Sequence, residues 1–277
     1  MTDNDLANGE RSSWLSLYLF NHDCGRVTGL FKHSLNIQFS GILFHLGRKT
    51  ETLSCLGITL PDDQVMSILR QVSVDDQARF INGTIYLYTQ MTVLAVPVMT
   101  LKEVNLTVPT NLSPTLLPAA LAKFQRIPFQ EKWGLANMEQ ASRLSNQLLS
   151  ANLAADIQAV AGHLVGRGRG LTPSGDDIMV GFTTALTAFQ DPRAALWRET
   201  LAMLAKQNVT TSVSVAYLRA ASERVASQKL IHLIAALKQG STTDILAAIQ
   251  SVENFGHTSG IDTLFGFATG LTARLSE

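Results

Sequence analysis

Charge is scarce in this chain. Only 16% of its 277 residues are Asp, Glu, Lys or Arg, and 22 acidic residues balance 22 basic ones to a formal net charge of zero. No basic run or basic face stands out, which argues against a nucleic-acid partner. Cysteine is nearly absent. Cys24 and Cys55 stand alone without metal-ligand spacing and read as buried thiols of a cytoplasmic protein. The start, MTDNDLANGE, is polar and acidic and lacks the pattern of a secretory signal. Thr84–Leu101 runs 18 residues without a charge. It contains Gln90, Tyr86, Tyr88 and Pro97 and alternates in part, so buried strands suit it better than a membrane span, and no membrane partner is expected. There is no Ser-His-Asp order, no phosphate-binding Walker loop and no HExxH.

Apolar residues are plentiful, at 46%, enough for a large core in one or two domains. The first hundred or so residues read as strands. Residues 1–12 look like a loose polar end, and Trp14–Phe20 is a short apolar strand or helix. Leu35, Ile37 and Phe39 alternate with Asn36 and Gln38, as a half-buried strand would. Ser40-Gly41 turns the chain into Ile42–Leu46. His33 and His45 fall in this region as structural or exposed side chains. Thr52–Leu60 suits a strand and Pro61–Val74 a helix. Asn82-Gly83 is a hairpin signal between Ile85, Leu87 and what precedes it. Val93–Val98 and Val104–Val108 read as further strands. Prolines at 109, 114, 118 and 128 then punctuate a connection with a short helix at Leu116–Phe124. Beyond it helical patterns follow one another: Asn137–Leu153, Ala154–Val165, a helix ending at Phe189, Arg193–Lys206, Thr210–Ala226, Lys229–Lys238, Thr243–Phe255 and Gly260–Leu275. The expected class is α+β: a β-rich domain over residues 1–115, a small barrel or sheet, then an all-helical domain over 116–277.

Gly166–Phe182, GRGRGLTPSGDDIMVGF, is the stretch richest in chemistry. Gly166, Gly168 and Gly170 alternate with Arg167 and Arg169, and glycine opens backbone conformations closed to other residues. Pro173 suits a first helical turn, and Ser174 with Asp177 makes an S-x-x-D capping box. The stretch reads as a basic loop entering a helix N-terminus whose unpaired N–H groups and partial positive charge favour a small anion. Candidate binding residues are Arg167, Gly168, Arg169, Gly170, Thr172, Ser174, Gly175 and Asp176. Asp176 and Asp177 can orient an amide, act as a base or bind a divalent cation, or simply stabilise the helix start. No further ligands stand at close spacing, so no metal or cofactor is expected. The glycine spacing only superficially resembles a dinucleotide fingerprint, because no strand precedes it.

The stretch is echoed later. Ser174–Leu186 reads SGDDIMVGFTTAL and Ser259–Leu271 reads SGIDTLFGFATGL, identical at seven of 13 positions. Two loop–helix units are expected to pack where Gly181 and Gly266 remove bulk, turning Asp177 and Asp262 toward one pocket. The alternative is two independently capped helices. His257, Thr258 and Ser259 lie just before the second start, and His257 can shuttle a proton near neutral pH or be structural. Thr211 and Ser212, in a hydroxyl run from Thr210 to Ser214, either bind a polar ligand or cap a helix. Asp177, His257 and Asp262 are the catalytic candidates.

Three motifs in this order, GRGRGLTPSGDD, TTSVSVAYLR and GHTSGIDTLFGF, resemble a family of bacterial proteins that includes the AllH-type subunit of oxamate carbamoyltransferase. The resemblance is strong from Gly166 to the C-terminus and vague before it. The family usually has proline where this chain has Arg169. The resemblance implies a subunit of a transferase in anaerobic allantoin (purine) breakdown that interconverts oxalurate plus phosphate with oxamate plus carbamoyl phosphate alongside other subunits. The alternative is a non-catalytic subunit that binds a small anion or scaffolds the complex.

Overall fold

The computed structural model of the chain describes residues 9–20, 23–110, 117–239 and 241–273. Two compact units emerge, Met1–Leu106 and Thr107–Glu277. Residues 1–8 of the polar start, the 115/116 junction and residues 274–277 lie outside the described residues.

The first unit is a single nine-stranded sheet curled into a half-barrel. Its strands are β1 (Glu10–Ser12), β2 (Cys24–Leu30), β3 (Ser34–Phe39), β4 (Leu43–Arg48), β5 (Gly57–Leu60), β6 (Gln77–Ile81), β7 (Thr84–Tyr88), β8 (Val93–Pro97) and β9 (Lys102–Val104), in the order β8-β7-β6-β2-β3-β4-β5-β1-β9. A 3-10 helix, Ser13–Leu17, follows β1, and α1 (Asp62–Leu69) follows β5. The Asn82-Gly83 turn does what its residues predict. Both have positive φ, 47° and 83°, and β6 and β7 pair across it. The uncharged stretch from Thr84 becomes β7 and β8. Among the described residues no helix is long and apolar enough to cross a membrane.

Several expectations need correction here. The polar start is not loose throughout, because Glu10–Ser12 pairs with β5 and β9 and Arg11 reaches Glu103 at 2.6 Å. β3 is not half-buried. Asn36 is itself buried, and the ring of His45, opposite it on β4, meets its Oδ1 at 2.8 Å. Burial lowers the His45 pKa to about 4 against an opposing pull from Glu51. α1 stops at Leu69 because the chain turns at Ser73–Asp76, where Asp75 has φ 74°. The last strand ends at Val104. Thr107 and Val108 instead bond to Val225 and Arg224 of the second unit, to which they belong.

The second unit is helical: α2 (Leu117–Phe124), α3 (Phe129–Lys132), α4 (Ala141–Ser150), α5 (Ala154–Leu164), α6 (Ser174–Ala188), α7 (Ala194–Leu204), α8 (Ser212–Ser222), α9 (Gln228–Gln239), α10 (Thr242–Glu253) and α11 (Ser259–Ala273). α4 begins four residues later than the sequence pattern predicts, because the chain is still in a turn over residues 134–138 and extended at 140. All 15 residues of α6 are buried, and α11 is nearly as enclosed, so these two helices form the axis of the unit. Apolar clusters lie on both sides of them. One is built on Leu144, Leu148, Ile157 and Trp197, the other on Phe124, Leu233, Ile245 and Leu264. Two threonines inside the axis helices satisfy their hydroxyls by bonding one turn back, Thr187 to the Thr183 carbonyl at 2.8 Å and Thr269 to that of Phe265 at 2.9 Å, whereas the Thr183 and Thr184 hydroxyls are buried without a partner.

Candidate functional site

The two echoed segments become α6 and α11, and they pack as equivalents. A Cβ on Gly181 would land on the carbonyl oxygen of Thr263 and crowd the amide of Phe267. A Cβ on Gly266 would land on the carbonyl oxygen of Ile178 and crowd the amide of Phe182. Each of these positions is its counterpart's number plus 85, so the contact is reciprocal, as about a local twofold axis. Farther on, Gly270 lies against Phe182 and Ala185. The helices therefore run parallel and begin side by side.

At those beginnings the repeat becomes chemistry. Asp177 lies beside Ser259, and Asp262 lies beside Ser174, again 85 residues apart in both members. The capping box expected within α6 does not form. Pro173 is the N-cap and no side chain caps the helix, because Ser174 sits inside it and turns toward the other helix. Asp177 and Ser174 each find their partner across the axis rather than along their own helix. Gly134 adds a third wall. Its N–H donates to Asp262 Oδ1 at 2.9 Å, and a Cβ there would collide with Ser174 Oγ.

Asp262 is fully buried, Asp177 is 8% exposed and Asp176 is 1% exposed. Burial raises all three above the ordinary carboxylate range. Asp177 is raised furthest, because Asp262 and Asp176 add like-charge repulsion to burial while only the Ser259 and Thr172 hydroxyls oppose it. For Asp262 the Gly134 N–H and the Ser174 and Thr258 hydroxyls oppose burial. One oxygen of each member of the pair, Oδ2 of Asp177 and Oδ2 of Asp262, is buried without a hydrogen-bond partner. The rim above them carries hydroxyls, with Thr172 Oγ1 and Ser259 Oγ 2.7 Å apart.

Asp176 points elsewhere. Its Oδ1 accepts from the Gly166 N–H at 2.9 Å, and its Oδ2 accepts from the Thr210 hydroxyl. It thus ties the start of the glycine loop and the approach to α8 onto α6. Gly168, at φ 119°, is needed where the loop presses on Ser174, since a Cβ there would crowd the Ser174 amide. The helix start is less open than its residues suggest. The Gly175 N–H donates to the Arg167 carbonyl at 2.8 Å, and the Asp176 and Asp177 N–H groups donate to that of Pro173.

The two arginines part company. Arg167 donates to Glu139 Oε2 at 3.2 Å and to the Met138 carbonyl at 3.0 Å, and it also touches His163. Burial pushes the Glu139 carboxyl up, but His163, the Gln140 N–H, Arg167 and Arg143 outweigh it and hold it below the ordinary value. Arg169 is exposed, has no partner among the described residues, and stands next to Gly170 at the outer end of the loop. Thr211 caps α8, accepting from the Ser214 N–H at 3.1 Å, and its hydroxyl donates to the Leu171 carbonyl. Ser212 is exposed, as is His257 in the turn before α11. Thr258 is half-buried beside Asp262. Among the described residues no group of three or more His, Cys, Asp or Glu side chains is placed to hold a metal ion.

Gly134, Glu139 and Thr210 emerge only in three dimensions. Thr210 opens the hydroxyl run that drew attention to Thr211 and Ser212, and a short reach to Asp176 singles it out. Gly134 acts through its backbone, for which the sequence carries no signal.

No solved structure matches the chain. Residues 164–271, from the end of α5 almost to the end of α11, are similar to the family described as oxamate carbamoyltransferase subunit AllH, and the paired helix starts lie within the matched stretch.

Proposed function

We propose that this chain is a subunit of an oxamate carbamoyltransferase-type enzyme, working in the cytoplasm with other subunits in anaerobic allantoin breakdown. Its reaction interconverts oxalurate plus phosphate with oxamate plus carbamoyl phosphate. In that reaction a phosphate oxygen attacks the ureido carbon, the bond from that carbon to the oxamate nitrogen breaks, and the nitrogen gains a proton. The seam between Asp177 and Asp262 holds the N–H-bearing end of the substrate. The observation that carries this reading is the pair of buried, unpartnered oxygens, Asp177 Oδ2 and Asp262 Oδ2, on adjacent helix starts. Buried polar atoms left unpaired are costly, and a carbamoyl or amide group supplies the missing partners. The substrate carboxylate or phosphate then faces the Gly166–Gly170 loop, where Arg169 is exposed and has no partner among the described residues.

The test is calorimetric titration of the full chain, alone and with its copurified partners, with oxamate, oxalurate, carbamoyl phosphate and phosphate. Saturable oxamate binding that weakens by about tenfold or more in Asp262→Asn is the expected result, since one lost charge-assisted hydrogen bond is worth roughly that factor. Binding that is unchanged in the variant overturns the site.

One observation favours the alternative of a subunit that scaffolds rather than catalyses. Arg167, whose carbonyl meets the Gly175 N–H at the helix start, commits its guanidinium to Glu139. Under that reading Asp262→Asn leaves turnover of the assembled enzyme intact and lowers only its assembly.

A further inference from the structure

Taking the seam as the substrate site, we propose that Asp177 and Asp262 hold a single proton between them, carried on Asp177, and that this proton makes the seam selective for a planar primary amide over a carboxylate. The Asp177 carboxyl donates its O–H to the amide carbonyl, and Asp262 Oδ2 accepts from the amide N–H.

The geometry separates the two acids despite their near-equivalence. Asp262 Oδ1 accepts a backbone N–H from Gly134, a fixed donor whose bond is stronger to the ionised carboxylate and so favours that form. The neighbours of Asp177 are the hydroxyls of Ser259 and Thr172, which can accept as readily as they donate and so tolerate a protonated carboxyl. Two buried ionised carboxylates repel one another, and among the described residues no cation acts on Asp177 to relieve them. The charged groups acting on Asp177 are Asp262 from α11 and Asp176 from its own helix, both acids. The cations of the other packed elements are engaged elsewhere: Arg167 and His163 with Glu139, Arg193 with Asp191, and Arg219 with Glu223. Arg198 on α7 has Glu199 and Arg224 as its charged neighbours. His257 is exposed in the turn before α11.

A primary amide offers one acceptor and a donor, matching one carboxylic acid and one carboxylate. A carboxylate in the same place offers only acceptors and meets Asp262 with like charge. The seam therefore tells oxamate from oxalate, molecules of nearly the same shape.

Two measurements on the full chain test this. The first needs no ligand. Infrared spectra of protein carrying 13C-labelled aspartate should show a protonated-carboxyl band at about pH 7, which persists in Asp176→Asn and vanishes in Asp177→Asn. The absence of that band in the unaltered protein overturns the shared proton, as does its survival in Asp177→Asn. The second is calorimetry with oxamate and oxalate between about pH 6 and pH 9. Oxamate affinity should fall as pH rises and the proton is lost, and oxalate should bind at least about tenfold more weakly at the lower pH. In Asp177→Asn, whose amide N–H takes the place of the O–H donor, oxamate affinity should no longer change with pH. Equal binding of the two ligands, or an oxamate affinity independent of pH in the unaltered protein, overturns the shared proton while leaving the seam as the site. No binding of either ligand at any pH, with partner subunits present, overturns the site reading and this inference together.

Discussion

Gly181 and Gly266 are each other's counterparts, and each leaves room for a backbone carbonyl of the opposite helix, that of Thr263 or of Ile178. The obstacle to a larger residue at either position is main chain within a helix, which cannot rotate aside. Gly181→Ala and Gly266→Ala are each expected to destabilise the chain by about 1–3 kcal/mol, the usual cost of overpacking. Because both separate the same pair of helices, the double variant should cost less than the sum of the singles. Urea unfolding followed by circular dichroism checks both statements, and strict additivity would show that the two sites do not share an interface.

The raised Asp177 carboxyl makes stability depend on pH in a defined direction. Its folded value lies well above the ordinary one, so in the folded chain it keeps a proton that the unfolded chain releases. Its contribution is full below the ordinary value of about 4 and is lost as pH rises through the folded value, at a limiting slope of about 1.4 kcal/mol per pH unit. Asp177→Asn removes this decline. The variant should gain on the unaltered protein between mildly acidic and alkaline pH, as read from urea midpoints across a pH series.

Glu139 should show the opposite signature. Its carboxyl is held below the ordinary value, with Arg167 among the causes. Such a group stabilises above its unfolded pKa and loses that contribution as pH falls through the folded value. Arg167→Ala is therefore expected to lower the midpoint at neutral pH and to converge with the unaltered protein in acid. A gap of constant size at every pH would mean that Arg167 acts through packing alone.

Asp176 bonds both Gly166 and Thr210 from a buried position, so Asp176→Ala leaves two donors unanswered. The expected cost is about 1–3 kcal/mol. Hydrogen exchange at the Gly166 amide should accelerate with it, and Thr210→Val should speed that amide much less.

The sequence announced much of this arrangement, for physical reasons that differ from element to element. The Asn82-Gly83 hairpin was legible because positive φ at two successive residues is a local demand met by few side chains. The pairing of α6 and α11 was legible because a backbone-to-backbone approach excludes side chains at fixed points, and so Gly181 and Gly266 recur in register. The capping box misled. Ser-x-x-Asp suits a local cap, but here a second copy of the same pattern lies alongside, and each Ser–Asp pairing runs between copies. One amide of the helix start is taken up in a way the sequence did not announce, because the glycines that make the loop supple also let the Arg167 carbonyl fold back onto Gly175. Gly134 and Asn36 were beyond reach. Their roles depend on which strand or helix ends up beside them, and nothing within a few residues encodes that.

The turn from α5 to α6 spans residues 165–173, and its counterpart from α10 to α11 spans residues 254–258. That difference in length breaks the equivalence of two otherwise matched helix starts. A molecule lying across a seam with true twofold symmetry has no head and no tail, since turning it end for end changes nothing it touches. The longer turn, with Arg169 at its outer end, gives the seam a direction. Under the proposed function, an unsymmetrical molecule with an amide at one end and an anion at the other then has a single orientation to adopt, and a reaction that must break one particular bond within it begins from that orientation.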